Sequence, residues 1–302
     1  MKRSALLFAV LLCCAAAVSS DTPKRPRITG IAAVTLVSTD FGKSRYFYNA
    51  LLGFPECQDE MSRQEMMPMC FLASDQQRIS VESSTPIEGP PLSNFLFDVA
   101  FETADANSLR SYLKANGVKV SELRGYQWPW KDFTAIDPEG HRIRFLQSAP
   151  KHESGTASLK TPIIHAGFVV RDRAATDHFY KDILGFRPYW HGGMKDNKDD
   201  WVAMQVPDGT DWVEYMLNVS PTADKQELGV MNHIALGVAD IKAAKAQLLK
   251  NGARLTEEPQ MGRDGKWQLN VYDPDLTRIE FMEFTPVQKP CCSDFTGPHP
   301  KP

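Results

Sequence analysis

The chain states nearly the same message twice. Ala33-Val34-Thr35-Leu36 followed by Tyr46-Phe47-Tyr48-Asn49-Ala50-Leu51-Leu52-Gly53-Phe54 returns as His165-Ala166-Gly167-Phe168 followed by His178-Phe179-Tyr180-Lys181-Asp182-Ile183-Leu184-Gly185-Phe186, at an offset of 132. A second pair of blocks matches Asn116-Gly117 to Asn251-Gly252 and Asp137-Pro138-Glu139-Gly140 to Asp273-Pro274-Asp275-Leu276, at offsets of 135 and 136. Duplication on this scale means two homologous units, so differences between the copies are where function is to be sought. The length of 302 residues suits two domains.

A charged share of 24% and net charge of −3 mark an ordinary globular protein and exclude a nucleic-acid or anionic-membrane binder, because no basic stripe stands out. Ahead of the repeats, Met1-Lys2-Arg3, an apolar run Ala5 to Val18 and the small residues Ser19 and Ser20 form a secretory signal. Cleavage is expected near Ser20, giving a secreted or periplasmic protein with no membrane contact after cleavage; an uncleaved anchor is the alternative. Cys57 and Cys70, on neighbouring predicted strands, either pair in such a compartment or stay as two buried thiols. Cys291 and Cys292 sit in a Pro-rich tail, residues 286–302, expected to be loosely ordered.

Each half reads as strand, helix, strands, twice over. In the second half Ile163 to Val170 is a β-rich run, Asp172 to Leu184 has helical spacing, and Trp201 to Val206 and Trp212 to Val219 are strands around the turn Pro207-Asp208-Gly209. Asn232 to Val238 is a strand, Asp240 to Lys250 an amphipathic helix with Asp240 placed to cap it, and Trp267 to Tyr272 and Arg278 to Phe284 close the unit. The fold class is α+β. The expected organisation is a leader at 1–20, domains at 28–148 and 161–285, and a polar linker at 149–160.

These paired βαβββ modules resemble the vicinal oxygen chelate superfamily, which includes glyoxalase I, extradiol dioxygenases and bleomycin-resistance proteins. The resemblance covers both halves and implies two tandem domains, each an incomplete barrel. It implies one divalent ion, Ni, Zn, Fe or Mn, held by His165, Glu214, His233 and Glu280, the family's ligand positions on the first and fourth strands of each module. The stretch Glu214-Tyr215-Met216-Leu217-Asn218, running into Asn232-His233-Ile234-Ala235-Leu236, looks like bacterial glyoxalase I. Two imidazoles and two carboxylates suit such an ion and leave positions for two neighbouring substrate oxygens. Glu280 or Glu214 would then move the proton. Small Ala166, Gly167, Ala235 and Gly237 would keep the strands open around the ligands.

In the first half Ala33, Asp98 and Arg144 stand at the positions of His165, His233 and Glu280, and only Glu82 matches Glu214. That half is expected to be metal-free. His178 and His191 are expected at the surface, and His141 and His299 have no assigned partner. The resemblance leaves three functional readings: a glyoxalase-like lyase or isomerase, an extradiol ring-cleaving dioxygenase, and a non-catalytic small-molecule binder. The first ranks above the second because Gly262 to Tyr272 and Gln205 to Ser220 hold no His, and Glu214 offers a fourth ligand. A monomer or loose homodimer acting on a small molecule with vicinal oxygens is expected.

Overall fold

A computed structural model describes residues 24–57, 69–84, 95–125, 131–147 and 161–302. The expected leader at 1–20 and linker at 149–160 lie outside these residues. The first half forms a six-stranded sheet in the order β2-β3-β1-β4-β6-β5, from β1 (Ile28–Ser38), β2 (Met69–Leu72), β3 (Arg78–Ser83), β4 (Leu96–Thr103), β5 (Lys131–Ile136) and β6 (Arg142–Gln147). The second half forms an eight-stranded sheet in the order β12-β13-β14-β11-β7-β10-β9-β8. Its strands are β7 (Ile163–Val169), β8 (Arg187–Gly192), β9 (Trp201–Gln205), β10 (Trp212–Met216), β11 (His233–Val238), β12 (Gln260–Met261), β13 (Trp267–Tyr272) and β14 (Arg278–Glu283). In both sheets the first strands of the two modules pair antiparallel at the centre, β1 with β4 and β7 with β11. This is the tandem half-barrel fold that the duplicated pattern implies.

Each module contributes one main helix: α1 (Phe41–Arg45), α2 (Ala106–Ala115), α3 (Arg173–Asp177) and α5 (Ile241–Lys250), with a short α4 (Lys225–Met231) leading into β11. All four module helices start on an Asp whose carboxylate accepts backbone N–H bonds of the first turn: Asp40, Asp105, Asp172 and Asp240. Each cap satisfies donors the helix cannot. All four end near a Gly at positive φ, namely Gly53, Gly117, Gly185 and Gly252, a conformation costly for any side chain. The expected single helix from Asp172 to Leu184 widens after α3 into a π-type turn over His178–Ile183, closed by a bond from Leu184 N–H to the Phe179 carbonyl, 3.0 Å. The wider turn buries the consecutive residues Phe179 and Tyr180 together.

The halves share one apolar core, with Phe101 meeting Phe186 edge-on at 5.4 Å. Two reciprocal polar ties lock them. Tyr48 donates to Asp273 at 2.9 Å and, in the mirror arrangement, Tyr180 donates to Asp137 at 3.0 Å. Gln77 accepts from the Ile163 N–H at 2.8 Å, while Asp211 accepts from the Ile31 N–H at 2.8 Å. Each half thus satisfies buried groups of the other. His141 joins this seam, bonded through Nδ1 to Asp137 at 2.9 Å and stacked on Phe168 at 4.6 Å.

The tail departs from the expectation of a loose appendage. Phe295 packs on Tyr189 at 4.8 Å, Thr296 N–H donates to the Tyr189 carbonyl at 3.0 Å, and Gln205 donates to the Pro298 carbonyl at 2.9 Å. One partly buried ring, Phe295, set against Tyr189 and Trp190, and backbone bonds to β8 and Gln205 hold the segment despite its low apolar content. Cys57 and Cys70 are disulfide-bonded with Cα atoms 5.3 Å apart, and Cys291 is bonded to its neighbour Cys292.

Tyr48→Phe and Tyr180→Phe each leave a buried Asp short of a donor, so each should cost about 1–3 kcal/mol in denaturant unfolding. Because the two bonds are equivalent, the two losses should be similar. A loss under about 0.5 kcal/mol in either variant would show that the seam does not depend on these bonds.

Candidate metal centre

Strand register decides what meets inside the second barrel. Across the β7–β11 pair His165 lies opposite Ala235 and His233 opposite Gly167. Each imidazole lies across the strand over the small residue opposite it, so the space a side chain at 167 would need is taken by the His233 ring. A Cβ on Gly167 would come 2.1 Å from the His233 ring. Parallel pairing then sets β10 and β14 on the outer flanks, with Glu214 opposite Gly167 and Glu280 opposite Ala235. Alternation points all four functional side chains to one face.

The four residues named from the sequence come together. Nε2 of His165 and Nε2 of His233 are 3.0 Å apart. Glu280 Oε2 stands 3.6 Å from the former and 3.5 Å from the latter, and Glu214 Oε2 stands 3.8 and 3.6 Å from them. Atoms sharing one ion at about 2.1 Å stand roughly 3.0–3.4 Å apart at octahedral to tetrahedral angles. The imidazole nitrogens stand at that spacing and the carboxylate oxygens a few tenths of an ångström beyond it, those of Glu280 nearer than those of Glu214, so a small inward shift brings all four onto a single cation; His165, Glu214 and His233 offer ligand atoms within 4.8 Å of one another.

Protonation fits the same role. Burial, and then the neighbouring imidazole, push His165 well below its ordinary value; burial and Arg278 lower His233. Both rings are neutral near pH 7, as ligation requires. His233 Nδ1 bonds the Met231 carbonyl at 3.0 Å, which leaves the Nε2 lone pair facing the centre. His165 rests on Trp212 at 4.7 Å, and its Nδ1 has no hydrogen-bond partner.

The two acids differ. Burial, reinforced by Glu280, raises Glu214 to about 8. For Glu280 burial acts upward but is overcome by Arg278 and the imidazoles, giving about 2. With both imidazoles neutral, Arg278 is the lasting cause. Carboxylates pushed apart in this way take different parts in proton transfer.

Sequence reasoning missed two cations. Arg278, two residues before Glu280 on β14, places a guanidinium nitrogen 2.7 Å from His233 Nε2. The i, i+2 alternation of a strand was the signal that could have found it. Lys266 is fully buried behind the centre, its Nζ over the rings of Trp212 at 4.7 Å and Phe295 at 5.0 Å. Burial lowers it to about 8 against the pull of Asp264 and the two glutamates.

The matching place in the first half is built differently. Arg144 reaches Asp98 at 3.2 Å and Asp132 at 3.7 Å, and Arg124 grips Asp132 through two bonds of 2.9 Å. A guanidinium stands where the second half has Glu280. The register corrects the match expected for Glu82: Ser80, not Glu82, lies opposite Thr35, the counterpart of Gly167, so Glu82 sits two residues beyond the place of Glu214, where burial raises it. His178 and His191 are exposed and bonded to Asp182 and Asp199, at 3.2 and 2.8 Å, away from the centre. His299 pairs with the Tyr189 hydroxyl.

Comparison with known proteins agrees with this construction. Solved structures with the same fold include homoprotocatechuate 2,3-dioxygenase from B. fuscum, 19% identical, covering 91% of this chain and 74% of that one, with a TM-score of 0.64. The enzyme of the same name from Arthrobacter globiformis is 18% identical, covers 87% and 82%, and has a TM-score of 0.62. At this identity the likeness is one of fold. No curated protein matches the chain. The family model described as the glyoxalase/bleomycin resistance protein/dioxygenase superfamily matches residues 30–145 and again 163–281. Matched in both halves, the chain belongs to the glyoxalase/bleomycin resistance protein/dioxygenase superfamily, with two tandem domains of that family.

Proposed function

We propose that the second domain is a divalent-metal-dependent enzyme of the lyase or isomerase kind, moving a proton on a small substrate with two neighbouring oxygens. The observation that carries this reading is the convergence of His165, His233, Glu280 and Glu214 at ligand-to-ligand distances. A bound ion would act there as a Lewis acid, making a C–H beside the substrate's carbonyl more acidic. The chain's own residues divide the remaining work. His165, His233 and Glu280 hold the ion throughout, since Glu280 stays ionised, and Glu214 is the fourth ligand, the one that loosens. Glu214 is the proton carrier: its side chain is 12% exposed against 4% for Glu280, and its raised value places both protonation states within reach near neutral pH. Trp212, Tyr189 and Phe295 close the barrel behind the centre and keep water from it. Export to an oxidising compartment is part of this reading, resting on the basic start and apolar run of residues 1–20.

A ring-cleaving dioxygenase is the second reading. It is favoured by the layout of an arginine-filled first domain followed by a second domain that carries the ligand set, in the fold that the dioxygenases share. The lack of any His in Gln205 to Ser220 and Gly262 to Tyr272 ranks it lower. Oxygen uptake with catechols supports the dioxygenase. Deuterium wash-in from solvent at carbon beside a ketone, without oxygen uptake, supports proton transfer.

Metal analysis of purified protein should give one ion per chain for the wild type and almost none for His233→Ala or Glu280→Gln. Equal content in wild type and His233→Ala would remove the basis for the enzyme reading.

The affinity for metal should also rise with pH. Below about 8 the metal-free Glu214 holds a proton that ligation must expel, so affinity should climb by up to about tenfold per pH unit and level off above it. Glu214→Gln should flatten this slope. A flat profile in the wild type would show that Glu214 is not a ligand.

A further inference from the structure

Arg278 is in an unusual position for a cation. Its guanidinium reaches into the barrel and donates to His233 Nε2 at 2.7 Å, while its own Nε is buried without a hydrogen-bond partner. No carboxylate lies within ion-pair distance of it among the described residues. A guanidinium cannot discard its proton, and this half-buried one, though near enough to Glu280 to lower it, makes no direct pair with it, so its unpartnered Nε is costly. The same strand position in the first domain is Arg142, and there the guanidinium stacks on Phe97 at 4.8 Å. In the second domain the residue matching Phe97 is Asn232, whose amide is engaged by the Val169 N–H and the Leu228 carbonyl, at 3.2 and 2.8 Å. With no ring to lie on, Arg278 turns toward the ligand set.

Its present partner is one a metal would take. The Nε2 lone pair of His233 can accept from Arg278 or bind a cation, not both. Once a cation is bound, Arg278 is released at the edge of the centre with no acceptor from the chain. Two carboxylates balance a divalent ion alone, so Arg278 and Lys266 add positive charge, which Asp264 opposes in part at Lys266. An anionic group of the substrate is the acceptor that would complete this arrangement.

We propose that Arg278 anchors an anionic group of the substrate, a carboxylate joined to the chelated oxygens, and rests on His233 when the centre is empty. The substrate class is then a 2-hydroxy- or 2-oxo-carboxylate rather than a neutral ketone or diol. This inference rests on the metal-centre reading above. Planar, paired donation to a carboxylate is what a guanidinium supplies and an ammonium does not.

The test uses full-length protein loaded with Mn²⁺ and two probes that present similar chelating oxygens, glycolate and neutral hydroxyacetone, titrated calorimetrically against wild type, Arg278→Met and Arg278→Lys. Arg278→Met should weaken glycolate binding about tenfold or more while leaving hydroxyacetone within about twofold. Arg278→Lys should recover part of the loss, and keeps the test open if Arg278→Met does not fold. Uptake of Mn²⁺ by the variants should be at least as tight as by wild type, because the competitor for His233 is weakened or gone. Unchanged glycolate affinity in both variants, or equal weakening of both probes, would overturn the anchor while leaving the metal centre standing. Wild type that takes up no Mn²⁺ and is silent to both probes would overturn the metal reading, and the anchor with it.

Discussion

Everything at the centre depends on how two strands face each other. β7 and β11 run antiparallel with an imidazole on each, and each imidazole is opposite a residue with little or no side chain: Ala235 for His165, Gly167 for His233. The ring of His233 lies where a side chain on residue 167 would stand, so a larger residue there would displace it. A shift of one residue would turn both imidazoles to the outer face. Register therefore creates the site, and the apolar residues on the helix-facing side, such as Ala166, Phe168, Ile234 and Leu236, hold that register.

The two domains show what one frame can carry. In the second, the inward positions hold imidazoles and acids at ligand distances. In the first, Arg144 takes the place of Glu280 and is met by Asp98 and Asp132, so the cation comes as a side chain. The seam still needs both copies: Tyr48 and Tyr180 reach across to the turn aspartates Asp273 and Asp137, as Gln77 and Asp211 do to β7 and β1. The first domain, without the ligand set, still supplies partners to buried groups of the second.

Much of this was legible in the sequence. The repeat gives the tandem frame, and the residues at matching positions give His165, Glu214, His233 and Glu280 together with the contrast at Ala33, Asp98 and Arg144. What escaped depends on contacts distant in the chain. The motif tyrosines and turn aspartates were visible as repeated residues, but their pairing across domains is a property of packing. Lys266 sits in a polar turn and reads as surface until Phe295 of the tail covers it. The tail itself reads as loose because local composition does not reveal the aromatic ledge of Tyr189 and Trp190 on which it lands. Leu276, where the first repeat has Gly140, still makes the turn at φ 72, held by Asp273, which accepts from the N–H groups of Asp275 and Thr277.

The central claim is that one divalent ion sits between β7, β10, β11 and β14. Anomalous diffraction from a crystal of the full chain grown with Mn²⁺ tests it most directly. The account predicts a single strong peak about 2.0–2.3 Å from His165 Nε2, His233 Nε2 and a Glu280 oxygen, with Arg278 withdrawn from His233. A crystal that shows no peak there and Arg278 still on His233 would contradict it.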